Sequence, residues 1–292
     1  MSPPGTPSDL VTHFASLPDL HQSPAYARLM HQIGWHAIGA PGSLIYYRSL
    51  GPLTVAKLQR PRQIDPEFIH HFRRRYHPLT TYIESSLAQA YSHGFVAEPF
   101  AHSTTSLLDL TLTPAQLLSS FSQKTRYNIT HSLKQNLLQI TSTPLNKLTS
   151  SQLSDFFSLH AEWSTRRHVV GYPPSLLHAV FPSFSTHGTL HLAYLDHIPV
   201  GTLLILTSGQ VATYYAAFAT PLGYHHFAPT LLTWTALLSA QDSAHSIFDF
   251  GGIFDPRYPR MYKKWAGFTK FKAGFRPAVV SYPATRLLLF WK

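Results

Sequence analysis

Three β-rich runs in close succession constrain this chain more than any other feature. Thr189 to Leu195, Val200 to Leu206 and Val211 to Phe218 are rich in apolar, β-branched and aromatic residues. Only short turns, Asp196-His197-Ile198-Pro199 and Ser208-Gly209-Gln210, separate them, and turns of that length join antiparallel neighbours. Phe227 to Ala240 then reads as a helix with Pro229 in its first turn, and Ile247 to Phe250 as a strand. Upstream, Thr149-Ser150-Ser151-Gln152 is a capping box opening a helix with Leu153, Phe156, Phe157 and His160 along one side. A further helix follows the bend at Pro173-Pro174. The second half is therefore α+β, with helices before and after an antiparallel sheet.

The first half shows a looser version of the same plan. Ser23 and Pro24 open a helix that stops at Gly34. Leu44 to Tyr47 and Leu53 to Leu58 read as strands of a hairpin or meander through Gly51-Pro52. Asp65-Pro66 starts a second helix with Phe68, Ile69 and Phe72 on its apolar side, and strands are expected at Leu79 to Ile83 and Ser106 to Leu112, closing a β-meander there. Thr113-Pro114-Ala115-Gln116 is a further capping box, and its helix is expected to run on to about Gln135. Lys124, Asn128 and His131 would then share a face, with Tyr127 and Lys134 beside them, as a solvated surface or as a binding face. Two related α+β halves, residues 1–145 and 146–292, are the expected domains.

After the strand at Ile247 the chain breaks at Gly251-Gly252 into a basic, aromatic segment. Arg257, Arg260, Lys263, Lys264, Lys270, Lys272 and Arg276 occur there without an acidic residue, interleaved with Tyr258, Tyr262, Trp265, Phe268, Phe271 and Phe275. Cations attract phosphate and flat rings accept bases, so the segment is a candidate polyanion site. A solvated loop anchored by its aromatics accounts for the same residues. The whole chain shares the bias: 23 Lys+Arg against 13 Asp+Glu give a formal charge of +10, and anionic partners are expected.

Several chemistries lack their required parts. There is no cysteine, so thiol catalysis, disulfides and thiolate metal sites are out. The 19 histidines form no His-Glu-x-x-His pattern, and no metal site is expected. No Gly-x-Ser-x-Gly elbow, Walker loop or dinucleotide glycine fingerprint occurs. No apolar run reaches the roughly 20 residues that span a bilayer, and Met1 to Leu10 lacks a secretory pattern, so a cytoplasmic protein without a transmembrane segment is expected.

The order of elements in the second half resembles an acyltransferase domain of the N-acetyltransferase (GNAT) type. Coenzyme A enzymes of that fold cradle pyrophosphate on an Arg/Gln-x-x-Gly-x-Gly/Ala turn, but the corresponding place reads Thr220-Pro221-Leu222-Gly223-Tyr224-His225-His226. No cofactor is expected on that ground. More specific are Gln22-Ser23-Pro24, Gly34-Trp35, Asp109-Leu110-Thr111 and Lys124-Thr125-Arg126-Tyr127-Asn128-Ile129. With them go Tyr214-Tyr215-Ala216, Ala228-Pro229 with Trp234, Asp249-Phe250-Gly251-Gly252-Ile253 and Phe271-Lys272-Ala273-Gly274-Phe275. In that order and spacing they resemble the Fem family (FemA, FemB, FemX) of peptidoglycan bridge-forming aminoacyl transferases, from about Gln22 to Phe275.

The resemblance implies two tandem GNAT-like domains with mixed, mainly antiparallel sheets. It implies transfer of an amino acid from aminoacyl-tRNA to the side-chain amine of a peptidoglycan precursor stem peptide, nucleotide- or lipid-linked, with peripheral contact at the inner membrane surface as a further expectation. Lys272 matches the family lysine that stabilises developing negative charge on the aminoacyl ester; a lysine whose stem packs on Phe271 and Phe275 is the plain alternative. Asp249 is a candidate base, although a strand-end carboxylate before Gly-Gly also caps a turn. Arg257, Arg260, Lys263, Lys264 and Lys270 would track the tRNA acceptor end, with Trp265 as a stacking face. Glu84 falls near a family carboxylate, and Lys124, Arg126 and Tyr127 would line a groove between the halves, with Tyr215 presenting its hydroxyl from the third strand. The family's two phosphate-binding positions correspond to Met30 and Pro173; Arg28, Arg166 and Arg167 are the nearest cations. Rivals to this assignment are an acyl-CoA-dependent N-acyltransferase and a non-catalytic protein that binds RNA or an anionic surface.

Overall fold

The computed structural model describes residues 6–167 and 172–290. Helix α1 (Pro7–Ser16) starts at a reciprocal capping box between Thr6 and Asp9. Helix α2 (Pro24–Gln32) is capped by Ser23, whose Oγ accepts from the Tyr26 amide at 3.1 Å. Strands β1 (His36–Ile38), β2 (Ile45–Leu50) and β3 (Leu53–Gln59), helix α3 (Pro66–Tyr76) and strands β4 (Thr80–Glu84) and β5 (Phe95–Ala97) follow. Then come β6 (Thr104–Asp109), α4 (Pro114–Ser120), α5 (Gln123–Gln135), β7 (Leu138–Pro144), α6 (Ser150–Arg167) and α7 (Pro174–Ser183). The three expected strands are β8 (Gly188–Leu195), β9 (Ile198–Ser208) and β10 (Val211–Ala219). The chain ends with α8 (Pro221–His225), α9 (Ala228–Asp242), β11 (Ile247–Asp249), α10 (Pro259–Tyr262), α11 (Ala266–Ala273), β12 (Ala278–Ser281) and β13 (Thr285–Leu289).

Two sheets result, ordered β1-β2-β3-β4-β13-β5 and β12-β6-β11-β10-β9-β8-β7. Each contains an antiparallel hairpin, a helical crossover and one parallel pair: β2-β3-α3-β4 in the first, and β9-β10-α8-α9-β11 in the second. The expected meander in the first half is thus corrected, because α3 carries the chain across and sets β4 parallel to β3. The next strand in each sheet is borrowed. β6, from the first half, pairs with β11, and β13, from the end of the chain, pairs with β4. The sheets therefore do not part at residue 145, since β6 and β7 precede it and belong to the second sheet.

A second correction concerns the helix expected from Pro114 to Gln135. Phe121 is extended there (ψ 162°), its ring buried edge-on between Trp234 and Phe275, and Ser122 caps a new helix, α5. Burial of that ring outweighs one uninterrupted helix. The second sheet is packed on both faces. Leu117, Phe121 and Ile129 with Leu231, Trp234 and Leu237 of α9 cover one, and Phe156, Leu159 and Phe184 cover the other together with Leu29 of α2. A helix of the first half thus completes the core of the second.

Candidate active site

The parallel pair β10/β11 ends at Thr213 opposite Asp249. Past that point the strands part. β10 continues to Ala219 through a bulge between Tyr214 and Ala216, whereas the chain after β11 follows β6, with Phe250 N donating to Ser106 O and Ile253 N to Thr104 O. Gly251 turns the backbone with φ +68°. At Gly252 a Cβ would stand 2.2 Å from the Trp265 ring, so only glycine lets the ring close over the turn.

Lys272 of α11 enters the gap. Its Nζ donates to Gly252 O at 2.7 Å and stands 5.4 Å from the Tyr214 ring centroid. The residue is only 8% exposed, which sets it apart from the neighbouring Lys270 on the outer face. Burial lowers its pKa to about 8, and the Asp249 carboxylate opposes that shift. The helix is held in place at both ends: Phe254 N donates to Thr269 Oγ1 at 2.7 Å, and Ser122 N to Gly274 O at 2.9 Å. Asp249 is buried. Its Oδ1 accepts from Gly251 N at 2.8 Å and from the Thr105 hydroxyl, and burial raises its pKa against those bonds. It caps the turn, and it also lies in the electrostatic field of Lys272.

A cavity of about 170 Å³ shares Tyr214 with this site and is lined by Leu203, Tyr224, Lys264, Phe268 and Phe271 among others. It is of the size that holds benzene in an engineered core, so it suits an acyl or amino-acid side chain. The turn where a pyrophosphate would sit is wound into α8. Gly223 N donates to Thr220 Oγ1, Tyr224 N to Thr220 O, His226 N to Leu222 O and Phe227 N to Tyr224 O, which leaves those amides engaged within the turn.

Next to this gap lies a buried polar cluster that the sequence did not announce. Arg60, 3% exposed with φ +48°, stacks at 3.7 Å on the Tyr282 ring and donates to His102 O and, at 3.5 Å, to Asp19 Oδ2. Asp19 also holds His21 Nδ1 at 2.6 Å; these cations keep its carboxyl well below the usual range against the cost of burial. His102 is pushed well below the ordinary imidazole value by burial, Arg60, His21 and Lys272. Two pieces had no legible signal: Arg60 reads as a loop cation before Pro61, and His102 is one histidine among 19. Lys57 was also missed; it is lowered to about 8 by burial and faces Trp35 at 4.9 Å.

The remaining expected residues divide. Glu84 is buried with Oε2 accepting from Gln59 Nε2 at 2.9 Å and Oε1 from Ala101 N at 2.7 Å, an internal tie. Tyr215, at the bulge, stacks on Tyr172 at 5.1 Å. Arg257 does not project toward a ligand: it clamps Asp255 at 2.8 Å and donates to Tyr282 O and Ser103 O. Arg126 closes onto Phe121 O at 2.5 Å, Arg28 donates to Ser183 O at 3.0 Å and Arg166 to Ala219 O at 2.5 Å. These arginines are committed to backbone carbonyls. The Arg167 side chain lies outside the described residues. Met30 is buried at 2% exposure beside Leu44 and Tyr46, so that position faces the core. Trp265 is half-buried over Gly252, whereas Arg260, Lys263, Lys264 and Lys270 are exposed, Lys264 lining the cavity. Lys124 and Tyr127 are exposed on α5, with Tyr127 stacked on His131 at 5.2 Å. Among the described residues no cluster of three or more His, Asp or Glu could hold a metal, and no helix is long and apolar enough to cross a membrane.

Residues 123–264 match the Acetyltransferase (GNAT) domain family. No curated protein matches the chain. Among solved structures, FemX superimposes with a TM-score of 0.77 at 12% identity, covering 98% of this chain and 96% of that one. The C-terminal domain of a putative lysylphosphatidylglycerol synthetase from Agrobacterium fabrum gives 0.63 at 12% identity over 98% and 93%. A tandem GNAT protein from the clavulanic acid biosynthesis pathway gives 0.52 at 10% identity over 97% and 95%. The chain has a tandem GNAT fold of the FemX kind, α+β with mixed sheets.

Proposed function

We propose that this protein is an aminoacyl transferase that moves an amino acid from aminoacyl-tRNA to the amine of a peptidoglycan precursor stem peptide. The observation that carries the proposal is Lys272: an ammonium buried where β10 and β11 part, tied to Gly252 O and facing the ring of Tyr214, which also lines a cavity sized for the acyl group. In this scheme the acceptor amine attacks the ester carbonyl, and negative charge collects on the carbonyl oxygen. Lys272 stabilises that oxyanion by roughly 3 kcal/mol, the scale of one oxyanion donor in a water-poor site. Asp249, made more basic by burial, receives the proton of the attacking amine, and collapse expels the ribose oxygen of the tRNA end, which takes that proton and leaves as the hydroxyl.

Two further features support a tRNA donor over coenzyme A. The pyrophosphate turn is wound into α8 with its amides engaged, and the exposed Arg260, Lys263, Lys264 and Lys270, of which Lys264 lines the cavity, offer phosphate contacts. Arg257 is left out of this set. Lys124 and Tyr127 remain candidates for acceptor contacts, and a cytoplasmic site of action goes with both substrates. The test is transfer of labelled amino acid from a mixed pool of charged tRNA to muropeptide acceptors, with acyl-CoA donors in parallel. Transfer from tRNA alone is expected. Transfer only from acyl-CoA would overturn the donor assignment while leaving the acyl-transfer chemistry in place.

A further inference from the structure

One end of the first sheet carries an apolar surface that the transfer chemistry does not use. Leu50 and Leu53, paired across the β2–β3 turn, are 53% and 48% exposed, and Phe290, just past β13, is 51% exposed. Backbone bonds join these tips in one row. Leu79 N donates to Thr54 O at 2.7 Å and Phe290 N to Leu79 O at 3.0 Å, while the Phe290 ring meets His77 edge-on at 5.7 Å. Phe95, 46% exposed, starts the neighbouring edge strand opposite Leu287. Four large apolar side chains thus stand at adjacent strand ends, where a monomer in water gains nothing by presenting them.

The charges around them have one sign. Arg48 on β2 and Arg74 and Arg75 in the last turn of α3 are exposed at the same end. The carboxylates of these elements stand at the opposite end: Asp65 and Glu67 at the start of α3, Glu84 at the end of β4 and Glu98 past the end of β5. A cationic rim around apolar tips complements an anionic bilayer. Leucine and phenylalanine enter the headgroup boundary, while arginines pair with lipid phosphates and keep their stems on the apolar side.

We propose that this end of the first sheet docks on an anionic membrane surface, with Leu50, Leu53 and Phe290 inserted and Arg48, Arg74 and Arg75 on the lipid phosphates. The surface is separate from the Lys272 site, so the proposal stands independently of the donor and acceptor. The binding is peripheral: it needs no spanning helix and is weakened by salt.

The experiment is co-sedimentation of the full chain with phosphatidylcholine vesicles, with and without phosphatidylglycerol, at low and high salt. Capture only by phosphatidylglycerol vesicles at low salt is expected. Arg74→Glu with Arg75→Glu lowers partitioning by at least about 25-fold, the product of roughly fivefold per cation at an anionic surface. Leu53→Ser with Phe290→Ser abolishes capture, and thermal melts verify that both pairs remain folded. Lys263→Ala with Lys264→Ala, on the other basic face, leaves capture within twofold. Absence of capture overturns the proposal, as does an equal loss in all three pairs, which marks diffuse charge. A concentration-dependent dimer in light scattering that Leu53→Ser with Phe290→Ser abolishes would assign the patch to a second copy of the chain and overturn it too.

Discussion

Replacing Lys272 by methionine tests whether a buried ammonium is there for chemistry or for packing. Methionine keeps most of the stem volume beside Tyr214 and removes only the charge and its donors. Lowering the lysine from 10.5 to about 8 corresponds to about 3 kcal/mol by which folding disfavours the ammonium. Against that stands the charge-assisted bond to Gly252 O at 2.7 Å, worth about 1.5–3 kcal/mol. The two nearly cancel. Lys272→Met should therefore change stability by less than about 2 kcal/mol, a few degrees in Tm, while transfer falls by about 10²–10³-fold for loss of one oxyanion donor. Single-turnover transfer from charged tRNA reads the chemical step, and filter binding of the same tRNA reads affinity, which should stay within about threefold.

Two pH experiments add signs that a packing role does not produce. If the ammonium does the work, the ratio of wild-type to Lys272→Met rates is flat below about pH 8 and falls as the lysine deprotonates above it. Taking the ratio cancels titration of the acceptor amine. Stability moves the other way. Between about 8 and 10.5 the unfolded chain holds a proton that the folded lysine has lost, so wild-type stability rises with pH relative to Lys272→Met across that window. A well-folded Lys272→Met that keeps more than a tenth of wild-type transfer, or a rate ratio independent of pH, would refute the catalytic assignment.

Gly252→Ala forces a Cβ to 2.2 Å from Trp265 and 2.6 Å from His102 Cβ; a loss of about 1–3 kcal/mol in chemical denaturation is expected, with transfer reduced as Gly252 O shifts from Lys272. Asp249→Asn keeps an acceptor for Gly251 N and Thr105 but cannot take a proton. A base role predicts a 10²-fold or larger loss in kcat, and a cap role alone predicts less than threefold. Arg257→Ala should destabilise the fold by about 3 kcal/mol, because it strands the buried Asp255 carboxylate, and it should leave tRNA affinity nearly unchanged in the folded fraction, in contrast to Lys263→Ala. Asp19 and Asp255 are both held below the ordinary carboxylate value, so each stabilises the fold above about pH 4 and ceases to as pH falls below it; equilibrium unfolding should show that loss, and Asp19→Asn should flatten it.

What could be read from sequence follows how local each determinant is. The Thr113/Gln116 and Thr149/Gln152 capping boxes form as expected, since both partners lie within four residues. The β8-β9-β10 meander follows from its short turns for the same reason. The strand exchange was invisible. β6 was expected as a strand but not as a partner of β11, and no periodicity in Thr285 to Leu289 says that its partner is β4, some 200 residues earlier. The break at Phe121 was equally hidden, because it depends on Trp234 and Phe275, which come from distant elements.

The site shows the same limit at the level of single cations. By residue type, Arg257, Lys270 and Lys272 are interchangeable members of one basic run. The fold gives them three roles: an internal clamp on Asp255, an exposed charge, and a buried ammonium on Gly252 O. What separates them is burial, which raises the worth of a charge toward a developing oxyanion and lowers its own pKa. In sequence Lys272 lies between Phe271, half-buried, and Phe275, fully buried just past α11, yet the neighbouring Ala273 is exposed, so that frame alone does not mark the lysine as buried. Lys272 leaves water where the parting of β10 and β11 supplies the Gly252 carbonyl as its acceptor. The parting in turn requires the strand exchange, since β6 draws the chain after β11 away from β10. The position of Lys272 thus depends on the two halves being interleaved, and on the proposed chemistry a variant that weakens the β6–β11 pairing should lose transfer before it loses the fold.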